Sequence, residues 1–134
     1  MRIAIDKDYQ IICAAPTTAG IVVFRYTDST AVSTNIGLTI TSGSTGLINP
    51  VITGILTTTT NQIILYGYED TEGGLLYVLR LTADGLLDQS FNPNGAYPCV
   101  LTYQIDNELV VQRVYDAVIS PEGRILSAVF ESNE

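Results

Sequence analysis

The stretch Val78-Leu79-Arg80-Leu81-Thr82-Ala83-Asp84-Gly85 repeats a block that occurs earlier as Val23-Phe24-Arg25-Tyr26-Thr27-Asp28-Ser29. The two arginines are 55 residues apart, because 80 − 25 = 55. A shorter unit precedes each block, as Gln10-Ile11-Ile12 and Gln62-Ile63-Ile64, and it returns as Arg124-Ile125-Leu126. Its steps are 62 − 10 = 52 and 124 − 62 = 62 residues. Self-similarity at a period of this length predicts a repeat architecture.

Short segments rich in Val, Ile, Thr and Tyr recur within each repeat and are separated by turn residues, which is the pattern of β-strands. The predicted strands are residues 2–5, 10–15, 21–26 and 31–41, then 51–56, 62–68, 75–81 and 100–103, and finally 115–119 and 124–131. Two rounds of four strands and a half-round of two predict an all-β fold of four-stranded antiparallel repeats, the unit of a β-propeller blade. We expect a single segment over 1–134, with repeat one at about 1–48, repeat two at about 49–109 and a half repeat at about 110–134.

Composition limits the classes of function. The chain has 134 residues, 46% of them hydrophobic and 15% charged, so it can bury a core. Its net charge of −8, with only six Lys and Arg, disfavours nucleic acid and anionic membrane surfaces as partners. Histidine is absent, which removes His-based acid–base chemistry and most zinc sites. No cofactor is expected.

The two cysteines, Cys13 and Cys99, are too few for a disulfide framework. Cys13 lies in an apolar run and is expected to be a buried small hydrophobe, while a bond between the two stays open. Apolar runs stay far below the roughly 18 residues of a membrane span. Charged residues at 6–8 follow residues 1–3 at once, so no signal peptide is expected.

The segment from Tyr77 to Gly95 resembles the delta-60 repeat of bacterial β-propellers, whose pattern is approximately Arg-Leu-x-x-Asp-Gly-x-Leu-Asp-x-Ser-Phe with a Gly a few residues later. Nine positions match: Arg80, Leu81, Asp84, Gly85, Leu87, Asp88, Ser90, Phe91 and Gly95. Residues 117–128, with the sequence Ala-Val-Ile-Ser-Pro-Glu-Gly-Arg-Ile-Leu-Ser-Ala, resemble a second unit of the family, Ala-Val-x-x-Asp-Gly-Lys-Ile-Leu-x-Ala-Gly. The first repeat is degenerate, because it matches at Arg25, Asp28 and Gly37 but lacks the Leu-Asp-x-Ser-Phe stretch.

The resemblance implies propeller blades, about two and a half in number, in a soluble, secreted or cell-surface bacterial protein. It implies no general catalytic residues. Closed propellers have roughly four to eight blades. We therefore expect the partners of this chain to be other blades or identical copies, and its ligand to be a protein or a carbohydrate.

The motif residues are expected to have structural roles. Gly85 and Gly123 suit turn positions with positive φ. Asp84 is expected to accept hydrogen bonds from backbone amides of its turn. Arg80 and Asp88 are expected to pair or to cap backbone groups, and Phe91 to pack between neighbouring sheets.

Four residues are candidates for a ligand site. Asp116 lies in an apolar run on a predicted first strand, the strand that lines the channel of a propeller, and is the candidate for a carboxylate of raised pKa. Tyr66, Tyr68 and Tyr77 lie on adjacent predicted strands and are candidates for an exposed recognition patch. Glu69, Asp70 and Glu72 form an acidic loop that is interpreted as a solvated hairpin tip, because the ordered oxygen ligands of a calcium loop are missing.

These observations together predict a non-enzymatic β-propeller repeat module for protein or ligand binding and scaffolding, completed by further blades or by self-association. The alternative is a structural subunit of a homo-oligomeric ring or filament. A carbohydrate-active enzyme is a third and more distant hypothesis, for which Asp116 would have to be buried and face a second carboxylate.

Overall fold

The structure is a computed structural model that describes residues 1–26, 34–104 and 111–132. Asp28 and the first three residues of the predicted strand 31–41 lie outside the described residues. The strands are β1 Arg2–Ile5, β2 Ile11–Thr17, β3 Gly20–Tyr26, β4 Thr34–Ile40, β5 Pro50–Thr57, β6 Ile63–Glu69, β7 Leu76–Leu81, β8 Val100–Tyr103, β9 Val111–Ile119 and β10 Ile125–Ser132. One short helix, α1 Ser42–Thr45, follows β4.

The strands form three antiparallel sheets in which neighbours along the chain are neighbours in space. Sheet 1 has the order β1-β2-β3-β4, sheet 2 has the order β5-β6-β7-β8, and sheet 3 is the hairpin of β9 and β10. Every predicted strand has a counterpart in the structure, and the predicted all-β class is confirmed.

Sheet 2 lies between the other two sheets and is covered on both faces. Successive residues of β6 and β7 alternate between two hydrophobic cores, since side chains of a strand point to opposite sides. The first core joins sheets 1 and 2, and its largest buried members are Ile12, Ile21, Leu47, Ile63, Leu65, Tyr77, Leu79 and Leu81. The second core joins sheets 2 and 3 through Ile64, Tyr66, Leu76, Val78, Val114 and Ala117. Phe91 is half-buried against this second core, which confirms its predicted place between sheets.

The same tight turn closes four hairpins or loops of the described chain. In each turn, the amide of residue i bonds the carbonyl of residue i+4, and the amide of residue i+3 bonds the carbonyl of residue i. Residue i+3 has positive φ, and the side chain of residue i accepts a hydrogen bond from the i+4 amide. The i and i+3 residues are Asp6 and Tyr9, Thr58 and Asn61, Thr82 and Gly85, and Ser120 and Gly123. Gly85 and Gly123 therefore have the predicted conformation, but the side-chain acceptor beside Gly85 is Thr82 and not the expected Asp84.

Both cysteines are free thiols, and they differ in burial. Cys99 is buried in that core, whereas Cys13 is half-buried on the far face of sheet 1, because its neighbours Ile12 and Ala14 take the inward positions of β2. The expectation that Cys13 is fully buried was wrong. The two cysteines do not form a disulfide with each other, because both are free thiols.

Candidate functional site

The strand registers show three equivalent positions on the first strands of the three sheets. Arg2 of β1 pairs with Ala14, Gly54 of β5 pairs with Tyr66, and Asp116 of β9 pairs with Ala128. Their spacings, 54 − 2 = 52 and 116 − 54 = 62, equal those of the repeated Gln/Arg-Ile unit. We call Arg2, Gly54 and Asp116 the first-strand row. The strands that carry it lie side by side, since β1 contacts β5 and β5 contacts β9.

The central position of the row is filled by a side chain from the neighbouring strand. A Cβ at Gly54 would lie 2.2 Å from the hydroxyl oxygen of Tyr66, so that hydroxyl occupies the space of the missing side chain. A β-bulge sits at the same place, because the register of β5 shifts between Ile52 and Gly54. The bulged residue, Thr53, donates a hydrogen bond of 2.8 Å to the carbonyl of Val114 in β9.

The Tyr66 hydroxyl donates a hydrogen bond of 3.2 Å to Asp116 Oδ1, which also accepts the Ala117 amide at 2.9 Å. Burial raises the pKa of Tyr66, and its hydrogen bond to Asp116 raises it further. Arg2 acts on the same phenol in the opposite direction. Asp116 is exposed rather than buried among apolar groups, so the burial that the enzyme hypothesis requires of it is not found.

Arg2 lies at the other end of the row and is also exposed. Its Nε donates a hydrogen bond of 3.2 Å to the carbonyl of Ile52. The row therefore carries an exposed cation and an exposed carboxylate, with the mostly buried phenol hydroxyl of Tyr66 between them. This set can bind polar or charged groups through hydrogen bonds and ion pairs.

A cleft of about 720 Å³ opens beside Arg2, between sheets 1 and 2. Its walls include the β2–β3 hairpin at Thr17 and Thr18, the end of β4 with α1, and the start of β5. Polar groups of Arg2, Asn49 and Asp70 line it together with Leu47 and Ile52. A volume of this size lies within the range of ligand pockets.

The three candidate tyrosines do not form one exposed patch. Tyr77 is fully buried in the first core, where its hydroxyl donates to the carbonyl of Val51 at 3.1 Å and burial raises its pKa. Tyr66 is 5% exposed and faces the second core. Tyr68 is half-buried on the same side, with the guanidinium of Arg113 5.8 Å from its ring centre. The prediction of a patch was wrong because adjacent strands of sheet 2 are covered on both faces.

The repeated arginines hold the structure together in two different ways. Arg80 makes the predicted pair with Asp88, at 2.7 Å, and its guanidinium lies 4.7 Å from the centre of the Phe91 ring. Arg25 is buried, and its Nε lies 3.5 Å from Asp6 Oδ2. Its terminal nitrogens donate hydrogen bonds to the carbonyls of Asn61 and Ala83, in two turns of sheet 2. Arg25 thus ties sheet 1 to two turns of sheet 2.

The acidic loop after β6 is not a solvated tip throughout. Glu69 is buried and accepts hydrogen bonds from the amides of Ile48 and Leu75, at 2.7 and 3.0 Å. Its carboxylate therefore holds the segment that connects sheets 1 and 2 against the β6–β7 loop. The acidic residues beside it along the chain gave no indication of this structural role. Within residues 1–26, 34–104 and 111–132, no cluster of three or more His, Cys, Asp or Glu could hold a metal ion. No helix in those ranges has the length and apolar character to cross a membrane.

Sequence reasoning named Asp116 and Tyr66 as candidates but did not single out Arg2 and Gly54. The repeat spacing could have identified both positions, since 116 − 62 = 54 and 54 − 52 = 2. Comparison with known proteins adds no assignment: no family model, no curated protein and no solved structure matches the chain.

Proposed function

We propose that this chain is a segment of a β-propeller that acts as a non-enzymatic binding and scaffolding module. In this proposal, further sheets cover its two outer faces in the working protein. The sheets are stacked in chain order and their first strands lie side by side, as blades around an axis would be. The resemblance of residues 77–95 to the delta-60 repeat supports the same reading.

The observation that carries the proposal is the apolar outer face of sheet 1, the face turned away from sheet 2. Ile5 is 61% exposed there and Phe24 37%, and Ile3 and Ile11 are exposed as well. Cross-strand pairing places these residues on one surface, since Ile3 pairs with Cys13, Cys13 with Phe24, and Ile5 with Ile11. A contiguous apolar surface of this kind marks an interaction site in a soluble protein.

The outer face of sheet 3 also carries exposed apolar side chains. Val118 and Leu126 pair across β9 and β10 and are each more than half exposed. The two open faces lie at opposite ends of the stack, so the module has two surfaces on which other sheets can pack. Sheets that contact only their neighbours leave such faces at each end of an array.

The row of Arg2, Gly54 and Asp116 supports binding more than catalysis. A glycosidase needs two carboxylates, one of them with a raised pKa. Here Asp116 is exposed, and its Oδ1 is already engaged by Tyr66 and by a backbone amide. Asp116 therefore serves as a hydrogen-bond acceptor that joins sheets 2 and 3.

Solution mass and circular dichroism, measured on one purified sample over a range of concentrations, test the proposal. We expect a β-sheet signal together with a discrete oligomer or concentration-dependent association, because bare apolar faces associate in water. A folded monomer that persists at high concentration and does not bind a hydrophobic dye would overturn it.

The cleft beside Arg2 favours a second candidate function, recognition of a carbohydrate or peptide. Thermal-shift measurements with a panel of oligosaccharides and short peptides test it, with Thr18→Trp to narrow the cleft and Thr59→Trp, at an exposed turn outside it, as the control. A ligand-induced rise in Tm that Thr18→Trp removes and Thr59→Trp keeps would support this function. A rise that is equal in both variants would assign binding elsewhere.

A further inference from the structure

We infer that a second copy of this chain covers the outer face of sheet 1. The copy packs the outer face of its own sheet 3 there, and its Asp116 meets Arg2 across the interface. This inference rests on the proposed function, because it names the partner of the two open faces. The contact joins two different surfaces, so the assembly is head-to-tail.

The first step is the repeat relation between open and covered faces. Ile63 and Leu79 of sheet 2 are buried against sheet 1. Their repeat equivalents are Ile11 and Phe24, since 63 − 52 = 11 and 79 − 55 = 24. Both equivalents lie on the outer face of sheet 1 and are exposed. The outer face of sheet 1 is therefore the same kind of surface that sheet 2 buries.

The second step identifies the matching surface. Sheet 2 packs Ile64 and Leu56 against sheet 3. Adding 62 gives Leu126 and Val118, which are exposed on the outer face of sheet 3. The outer face of sheet 3 thus corresponds to the surfaces that already cover neighbouring sheets in this fold. The two open faces are the two halves of the interface that the chain forms twice within itself.

Charge supplies an independent argument. At the junction of sheets 2 and 3, neighbouring positions of the first-strand row touch, because the Tyr66 hydroxyl at the Gly54 position bonds Asp116. The same geometry between copies would bring Asp116 of one copy beside Arg2 of the next. Both side chains are exposed and carry opposite charges. Opposite charges at neighbouring positions of the row favour the head-to-tail contact.

A contact between two different surfaces leaves one free surface of each kind on a dimer. Such heterologous contacts build closed rings when the rotation between copies closes, and filaments when it does not. The mass of the wild-type assembly therefore reports which of the two forms.

Two variants, each with one blocked face, test the inference by light scattering coupled to size exclusion. Phe24→Asp blocks the outer face of sheet 1, and Leu126→Asp blocks the outer face of sheet 3. Each variant should lose the wild-type assembly and run as a monomer. Mixed in equal amounts, they should form a 1:1 dimer, because each retains the surface that the other lacks. Leu86→Asp, at an exposed leucine of the Thr82–Leu86 turn, is the control and should assemble as the wild type does.

The outcomes separate the inference from the proposed function. A symmetric dimer of one variant alone, or no complex in the mixture, overturns the head-to-tail contact while leaving the open faces as binding surfaces. A folded wild-type monomer at every concentration overturns the head-to-tail contact, and if that monomer also binds no hydrophobic dye, it overturns the proposed function as well. Circular dichroism of each variant shows that a loss of assembly is not a loss of fold.

Charge reversal tests the pair directly in the same mixture. Arg2→Asp in the Leu126→Asp variant, or Asp116→Arg in the Phe24→Asp variant, should weaken the 1:1 complex about tenfold. Combining both reversed partners should restore most of the affinity. Reversals that act independently, with no recovery in combination, would overturn the Arg2–Asp116 contact.

Discussion

The hydroxyl of Tyr66 donates a 3.2 Å hydrogen bond to Asp116 and thereby joins the second strand of sheet 2 to the first strand of sheet 3. The phenol reaches Asp116 through the space left by the absent side chain of Gly54. The glycine and the tyrosine therefore form one structural unit, although they belong to different strands. This dependence leads to the first prediction.

Gly54→Ala should lower the free energy of unfolding by about 1–3 kcal/mol, because the new methyl would overlap the Tyr66 hydroxyl. In a Tyr66→Leu background the same substitution should cost much less, since the ring and hydroxyl are gone. A double-mutant cycle by urea unfolding measures the coupling. Equal costs in both backgrounds would contradict the shared space.

Gly123→Ala and Gly37→Ala form a matched pair that isolates backbone conformation. A Cβ meets no atom within 4 Å at either glycine, but only Gly123 has a positive φ, of 81°. We expect Gly123→Ala to cost about 1–2 kcal/mol, from left-handed backbone strain, and Gly37→Ala to cost nothing. Thermal unfolding of the two variants measures this difference, and equal Tm values would contradict it.

Tyr9→Gly should have the opposite effect. Tyr9 occupies the same turn position as Gly123, with φ of 61°, and the residue is 89% exposed. Glycine removes the strain of a left-handed residue and sacrifices little packing, so the free energy of unfolding should rise by about 0.5–1 kcal/mol. The control is an exposed tyrosine outside such a turn, and Tyr97 does not serve because its ring contacts Gly46. Tyr115→Gly, at an exposed strand tyrosine, should instead destabilise.

Acid stability should depend on Asp88. Burial opposes ionisation of this carboxyl, but hydrogen bonds from Ser90 and from Arg80 outweigh it and lower the pKa of Asp88 below its ordinary value. A depressed folded-state pKa contributes stability above the unfolded value of about 3.9, and this contribution is lost as pH falls through the folded value.

Asp88→Asn should therefore be less stable than the wild type at pH 7, by about 1–3 kcal/mol, and should lose less stability below pH of about 4. Unfolding in urea at several pH values measures both effects. Asp84→Asn, at an exposed position of the preceding turn, should leave the profile unchanged. If Asp88→Asn loses as much unfolding free energy at low pH as the wild type does, the proposed role of this carboxylate is contradicted.

The two thiols should differ in reactivity. Cys13 lies half-buried on the outer face of sheet 1, whereas Cys99 is buried in the first core, where burial raises the pKa of its thiol. A thiol reagent should label Cys13 in the folded protein and label both cysteines only in denaturant. Cys13→Ser and Cys99→Ala identify the labelled residue, and rapid native labelling of Cys99 would contradict the packing.

Labelling of Cys13 also reports on self-association. If copies cover the outer face of sheet 1, the rate should fall as protein concentration rises. The Phe24→Asp and Leu126→Asp variants should keep a constant rate at all concentrations.

The strands were predictable because their signals are local. Turn residues and runs of β-branched side chains mark the limits of each strand within a few residues, and the recurring turn sets the next pairing partner. The spacing of Gln62 and Arg124 was enough to align the first-strand positions. Arg80 lies near the end of β7, and Asp88 and Phe91 lie in the segment that follows it, so their contacts were also within reach of sequence reasoning.

The tyrosines and Glu69 were misjudged because their environments depend on distant parts of the chain. Tyr66 and Tyr77 lie in strands covered on both sides, and such strands are apolar throughout, so no alternation shows which side a residue faces. Glu69 stands in an acidic run, yet one of its partners is the amide of Ile48, 21 residues away.

The sequence by itself determined the all-β class, the ten strand positions and the repeat spacing, because strand propensity, turn chemistry and period are properties of neighbouring residues. Only the tertiary structure decided which faces are covered, which tyrosine reaches Asp116 and which apolar surface stays open. Those outcomes depend on how sheets stack, and stacking brings together residues 50 or more positions apart, such as Tyr66 with Asp116. Packing of that kind follows the summed shape and burial of whole faces, which no local pattern records.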